Sequence, residues 1–304
     1  MPLTKSLPTL PAIPHNLPSS SFIISSTFLQ RRTLMKQIEK FYPKAEVVYR
    51  DYTLPHSSAK EADIILSPST GLIFTTLQLV KQRALPGQPD RSPVKERMLT
   101  LQHRYERLVV VVSEGLSREM EDLGSSRPDD ARDKEALSAF ESFAARLEGE
   151  VSVQYVRGGE QALACATVVE MAKYGLPHGS TDIGSIKLVV QETSVSTPSP
   201  FTSPSLTYTQ QWEVFLRRVG LNPFAAQVIN ASLQQPFNVD IPSSPFPSQK
   251  PKSVAVFGLT AFLTMTEEER VRWLQTRMGG SRILKRVSRV VDQEWMCAAH
   301  GFRM

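Results

Sequence analysis

The sequence predicts an α/β domain, a mostly parallel sheet flanked by helices, followed by a small all-α domain. Three observations lead there. Over residues 21–190, short apolar runs bounded by turn residues alternate with segments of helical periodicity. From residue 208 onward every apolar pattern has helical spacing. Between them lies SVSTPSPFTSPSLTY, too rich in Pro and Ser for helix or central strand. The expected division is a proline-rich arm at 1–20, an α/β domain at 21–190, a linker at 191–207 and a helical domain at 208–304. A chain of 304 residues suits two domains of ordinary size.

In the first domain, Phe22-Ile23-Ile24 is a short strand. RRTLMKQIEKF then places Leu34, Met35, Ile38 and Phe41 on one helical face. AEVVYRDY, ADIILS and GLIFTT read as strands. PVKERMLTLQHRYERL reads as a helix with Met98, Leu101 and Tyr105 along one side. It delivers the chain into LVVVV at 108–112, apolar on both faces, as a central parallel strand covered by helices must be. A charged stretch at 121–135 is expected to be loop. Leu137, Phe140, Ala144 and Leu147 mark the next helix, followed by the strand VSVQYV and a helix through about 160–174.

In the second domain, TQQWEVFLRRVG presents Trp212, Phe215, Leu216 and Val219 on one face and stops at Gly220. Asn222-Pro223 then starts a new helix. The Pro/Ser-rich stretch at 236–251 reads as a surface loop. Thr266, followed by acids, caps a helix that ends at Gly279-Gly280, and SRILKRVSRVVDQEW begins the last one.

Composition excludes several classes. Hydrophobic residues make up 41% and charged residues 21%, enough for a packed core and against wholesale disorder. The net charge is only +5, so the placement of charge matters more than its sum. Cys165 and Cys297 are too few for a disulfide framework or a cysteine-rich zinc module. The five histidines lack metal-ligand spacing, and no metal or cofactor is expected. No apolar run approaches the roughly 18 residues of a membrane span, and no membrane partner is expected. A soluble intracellular protein is the expectation, and its ends are compatible with a portion of a longer chain. There is no P-loop, nucleophile elbow or dinucleotide glycine pattern.

Two places have the form helix, tight glycine turn, helix: Val219-Gly220-Leu221 and Met278-Gly279-Gly280. In a helix-hairpin-helix motif the glycine lets the backbone approach a phosphate, and N–H groups of the next helix start bind it. Residues 270–291 hold Arg270, Arg272, Arg277, Arg282, Lys285, Arg286 and Arg289 and no acid, a pattern suited to backbone phosphates or to a solvated helix face. The candidate DNA contacts are Gly279, Gly280, Ser281, Arg282, Lys285, Arg286 and Arg289, with Gly220, Leu221 and Asn222 as weaker ones. Pro223 removes one N–H from the first hairpin's helix start.

This arrangement resembles the XPF family of structure-selective nucleases, in which a restriction-nuclease-like α/β domain precedes tandem helix-hairpin-helix motifs. The family's signature is Gly-Asp, a gap, Glu-Arg-Lys, three residues, then Asp. Here Ala62-Asp63 stands for Gly-Asp, and Ile65-Leu66-Ser67-Pro68 matches the strand-turn after it. Ile73-Phe74-Thr75 replaces Glu-Arg-Lys, Leu79 replaces the trailing Asp, and Ser25 stands where an upstream acid is expected. RYERLVVVVSEG resembles the family's helix-to-strand step. Metal-assisted phosphodiester cleavage needs several carboxylates around a hard cation, and often a lysine. Asp63 with Ile73 and Thr75 does not supply them, so the resemblance implies a pseudonuclease without enzymatic activity.

Within the family, the chain is similar to a branch that lost its nuclease residues, the Zip-type or shortage-in-chiasmata proteins of meiotic crossover. That similarity implies binding of branched DNA without cutting, a heterodimer with a smaller Spo-sixteen-type subunit, and a nuclear, chromosome-associated location. Two alternatives stay open: a metal-dependent endonuclease with displaced ligands among Asp51, Glu61 and Asp63, and a purely architectural, partner-binding subunit.

Overall fold

In the computed structural model, residues 11–52, 61–82, 92–116, 120, 130–178, 208–241 and 252–301 are described. The linker at 191–207 and the first half of the expected arm lie outside them. The chain divides into two compact units, residues 1–180 and 181–304.

The first unit holds six strands: β1 (Ser20–Ser25), β2 (Ala45–Arg50), β3 (Ile64–Ile65), β4 (Thr70–Thr76), β5 (Arg107–Ser113) and β6 (Glu150–Val156). They form one sheet in the order β2-β1-β3-β4-β5-β6. β3 pairs antiparallel with both β1 and β4, while the β1–β2, β4–β5 and β5–β6 pairs are parallel. Five strands therefore run one way, with a two-residue reversed strand between the halves. Helices α1 (Arg32–Phe41), α2 (Leu77–Lys81), α3 (Pro93–Leu101), α4 (Ala131–Ala144) and α5 (Glu160–Tyr174) connect and cover it.

Leu108 to Val112 of β5 are all at most 1% exposed, as a run without polar alternation requires. Phe22, Ile24, Ile64, Leu72, Val109 and Val111 form the sheet's share of the core, and Leu34, Met35 and Ile38 of α1 close over it. Each such side chain contributes about 1.5–3 kcal/mol by leaving water. The later part of the expected arm belongs to this core. Leu17 is buried, and the Tyr42 hydroxyl donates to the Pro18 carbonyl at 2.7 Å.

Two local expectations are corrected, and two short elements were not foreseen. The helix read through residue 108 ends at Leu101, and Tyr105 is buried in the turn that follows. Residues 131–135, expected to be loop, open α4, because Asp130 caps it by accepting from the Arg132 N–H at 2.9 Å. The short α2 and a 3₁₀ turn at Ser26–Gln30 lack the length for a periodic signal.

The second unit holds α6 (Tyr208–Arg218), α7 (Pro223–Ser232), α8 (Gly258–Thr264), α9 (Glu267–Met278) and α10 (Arg282–Gly301). It is not wholly helical. β7 (Phe237–Ile241), within the expected surface loop, and β8 (Lys252–Val256), directly after it, pair antiparallel. FNVDI and KSVAV carry β-branched residues, but their Pro/Ser-rich surroundings masked the signal. Phe237 and Val256 pack on the helical core, and the Phe237 ring meets Trp273 at 5.8 Å.

Candidate nucleic-acid interface

Ser25, Asp63, Ile73 and Thr75, singled out in the sequence, lie on or beside β1, β3 and β4, and Leu79 lies on α2. Ser25, last residue of β1, donates its N–H to the Asp63 carbonyl at 2.9 Å, and Asp63 donates its own N–H to Leu72 at 2.9 Å. Phe74 on β4 donates its N–H to Asp63 Oδ2 at 2.7 Å. Ser25 is buried, with Oγ 2.8 Å from Thr27 Oγ1. Ile73 and Thr75 are buried within β4, and Leu79 faces solvent on α2 at 42% exposure. Asp63 is thus the one carboxylate among these five positions.

Its charge is already met. Arg97 on α3 donates to Asp63 Oδ1 from Nη2 at 2.7 Å and to Oδ2 from Nη1 at 3.1 Å. The same Nη2 reaches the Glu61 carbonyl at 2.8 Å. Such a two-pronged guanidinium clamp is a strong, orientation-specific pair. Ser92 accepting from the Lys95 N–H, with Pro93 at the first helical position, starts α3 so that Arg97 falls one turn in. Glu61 is engaged likewise: Arg104 Nη2 lies 2.8 Å from Oε1, and the Tyr105 hydroxyl donates to Oε2 at 3.0 Å. Burial, then the Glu61 charge, pushes the Tyr105 phenol well above its ordinary value, so it remains a donor. The Tyr105 ring lies so close to Gly71 that a Cβ there would come within 2.9 Å of it and of Ala62. Lys81 is paired with Asp133.

A divalent cation binding at Asp63 would have to displace Arg97. Among the described residues, no three His, Cys, Asp or Glu side chains gather as a metal site. Of the displaced-ligand set, Glu61 and Asp63 are each held by a guanidinium. Sequence reading missed Arg97 and Arg104. Both cations are plain in the sequence, Arg97 within α3 and Arg104 just beyond its end, but only the fold shows what they face.

In the second unit the two glycine turns differ. At the first, Gly220 has φ +117° and donates its N–H to Arg217, while Leu221 donates to Leu216 at 3.1 Å. Leu221 and Asn222 are both 0% exposed, and Asn222 Oδ1 accepts from the Ala225 N–H at 2.9 Å as the cap of α7. At the first hairpin the N–H groups of Gly220 and Leu221 are thus engaged, and Leu221 and Asn222 are buried.

At the second turn, a capping box between Thr266 and Glu269 opens α9. The helix ends at Gly279 with φ +66°, an exposed left-handed cap. Ile283, Leu284, Val287 and Val291 of α10 face the core. Arg282, Lys285, Arg286 and Arg289, at i, i+3, i+4 and i+7, share the other face. The last three are exposed, while Ser281 and Arg282 are half-buried. Arg272 is exposed on α9, and Arg277 stands over the Trp273 ring at 5.9 Å.

Arg270 leaves the basic group. It is 1% exposed, donating from Nε to the Phe262 carbonyl at 2.8 Å and from both terminal nitrogens to Asp292 at 3.0 Å.

Residues 12–183 match the family model described as domain of unknown function DUF7102, more than half of the chain. The chain belongs to the DUF7102 family. Residues 207–291 match a SAM-like domain, which follows the DUF7102 domain. No curated protein matches. Among solved structures, XPF from Aeropyrum pernix aligns at 11% identity and a TM-score of 0.33, covering 50% of this chain and 63% of that one. The chain thus spans less than two-thirds of that structure's length. XPF from Aeropyrum pernix in complex with DNA aligns at 12% identity and a TM-score of 0.33, covering 90% of this chain and 98% of the other. Likenesses this distant carry no argument about function, which rests on the chain's own geometry.

Proposed function

We propose that the chain is a non-catalytic, DNA-binding subunit, with a DUF7102 domain whose cation site is replaced by an internal ion pair and a SAM-like domain that grips backbone phosphates. The single observation that carries the reading is the α10 face. Lys285, Arg286 and Arg289 stand exposed in a row directly after the glycine turn, with the apolar residues of the same helix turned into the core. Gly279, Gly280, Ser281 and Arg282 line the approach. Contacts of this kind neutralise phosphates without reading bases, so binding falls steeply as salt rises.

The DUF7102 domain contributes no cleavage in this reading, because Arg97 occupies the carboxylate that a metal would need. Branched recombination intermediates as the preferred DNA, a smaller XPF-partner-like subunit completing a heterodimer, a role in meiotic crossover and a nuclear, chromosome-associated location follow from the family resemblance and belong to the same proposal.

The test is a gel assay of the full chain with labelled four-way junction and linear duplex, with Mg²⁺, at two salt concentrations. A retained, uncut, salt-sensitive junction complex, weakened for all sequences alike by Lys285→Glu with Arg289→Glu, is expected. Cut product would overturn the non-catalytic reading. Unaltered binding by the double variant would remove α10 from the interface. No complex at all would leave the SAM-like domain to a protein partner.

A further inference from the structure

The sequence from Arg31 to Lys44 contains Arg31, Arg32, Lys36, Lys40 and Lys44 against one acid, Glu39, a surplus of four positive charges where the whole chain carries +5. Most of this charge sits on α1. Leu34, Met35 and Ile38 bury one side of that helix in the core, where it packs on α5. Arg32, Lys36 and Lys40 follow one another at i+4 on the outer side, all three exposed.

Among the described residues, none of the three forms an ion pair. Three like charges at i+4 spacing repel one another, and Glu39 beside Lys36 and Lys40 offsets only part of that repulsion. An external anion would relieve it. At about 1.5 Å rise per residue the stripe is about 12 Å long, the reach of three to four phosphates along one duplex strand at about 3.4 Å per step. No exposed aromatic or apolar side chain lies among these residues on α1, and Lys is depleted at protein–protein interfaces. A phosphodiester backbone fits better than an acidic protein surface.

We propose that Arg32, Lys36 and Lys40 form a second DNA-backbone contact, on the DUF7102 domain and separate from the α10 face. The inference rests on the DNA-binding reading above. It places contacts on both units of the chain, so the SAM-like domain does not act alone. Each cation neutralises one phosphate and releases its condensed counterion, so the stripe contributes to affinity and to its salt dependence, not to base discrimination.

The experiment measures binding of the full chain to a fluorescent four-way junction at several salt concentrations between about 50 and 200 mM, taking the slope of log K against log salt. Replacing Arg32, Lys36 and Lys40 together by Gln should flatten the slope by about 2–3, and weaken binding to junctions of any sequence. Glu39→Lys, which adds a cation beside the stripe, should steepen the slope by about 1 and tighten binding at low salt. This gain-of-binding variant keeps the test decisive if the triple variant folds poorly. If the wild type binds, the Lys285/Arg289 variant is weakened and both α1 variants match the wild type, the α1 contact is wrong and the α10 contact stands. A wild-type chain that binds no DNA removes both.

Discussion

The two glycine turns of the SAM-like domain have the same form in sequence, and the fold puts them to opposite uses. At Gly220 the residues after the turn are inside: Leu221 and Asn222 are fully buried, and the N–H groups of Gly220 and Leu221 already bond Arg217 and Leu216. At Gly279 the cap is exposed and the helix after it carries exposed Lys285, Arg286 and Arg289. A glycine turn between helices thus says that the chain reverses tightly, and nothing about whether a ligand can reach the turn. What separates the two is the residue after each glycine. Leu221 is apolar and goes inward with α7, of which every residue from Pro223 to Asn230 is buried; Gly280-Ser281-Arg282 leads into a helix with one polar side.

The largest expected effect lies at the buried turn. Leu221→Ala should cost about 2–5 kcal/mol in denaturant unfolding, the range for emptying a fully packed leucine site. Lys285→Ala should cost under about 0.5 kcal/mol and act on DNA affinity instead. Equal stability losses at both would break the comparison.

Next comes the contrast between two cations that look alike in sequence. Arg270→Met should lower stability by about 2–4 kcal/mol, since it strips donors from Phe262, Leu263 and Asp292. Arg286→Met should leave the thermal midpoint almost unchanged and weaken DNA binding. A reversal of these phenotypes would place the interface on the wrong side of α9 and α10.

A smaller effect probes the exposed cap itself. Gly279→Ala forces a Cβ into a left-handed conformation and should cost about 1 kcal/mol or slightly more, read from the urea midpoint. If the turn contacts phosphate, DNA affinity falls further than that stability loss accounts for.

The smallest is a pH effect in the DUF7102 domain. A hydrogen bond from Arg107, at 2.8 Å from Nε, lowers the Glu150 carboxyl below its ordinary value. A lowered folded-state value means stability present above the unfolded glutamate pKa and lost as pH falls through the folded one. Glu150 is 60% exposed, so screening limits this to about 0.5 kcal/mol or less. Glu150→Gln should remove that part of the acid sensitivity between about pH 5 and 3; an unchanged acid limb would show the pair to be idle.

How much of the candidate site was legible varies residue by residue. Thr266, Asn222 and Gly279 announced their caps, because capping is settled within a few residues along the chain. The identities of Ile73, Thr75 and Leu79 at the positions compared with the nuclease signature were equally plain. The fate of Asp63 was not: its partner Arg97 is 34 residues away, and α3 brings it in only after β3, β4 and α2 have been laid down. β7 and β8 escaped notice because five-residue strands flanked by proline give periodicity too little length.

By itself, the sequence determined the alternation of strands and helices in the DUF7102 domain and the helix starts and stops of the SAM-like domain. Those are local properties, written in period, caps and residue identity. The tertiary structure alone decided which cations are outside and which are structural. Arg270 and Arg286 have the same chemistry and neighbouring helices, yet one is sealed against Phe262 and Asp292 and the other stands in solvent. Burial depends on what packs against a side chain from elsewhere in the chain, and charge takes its role from burial.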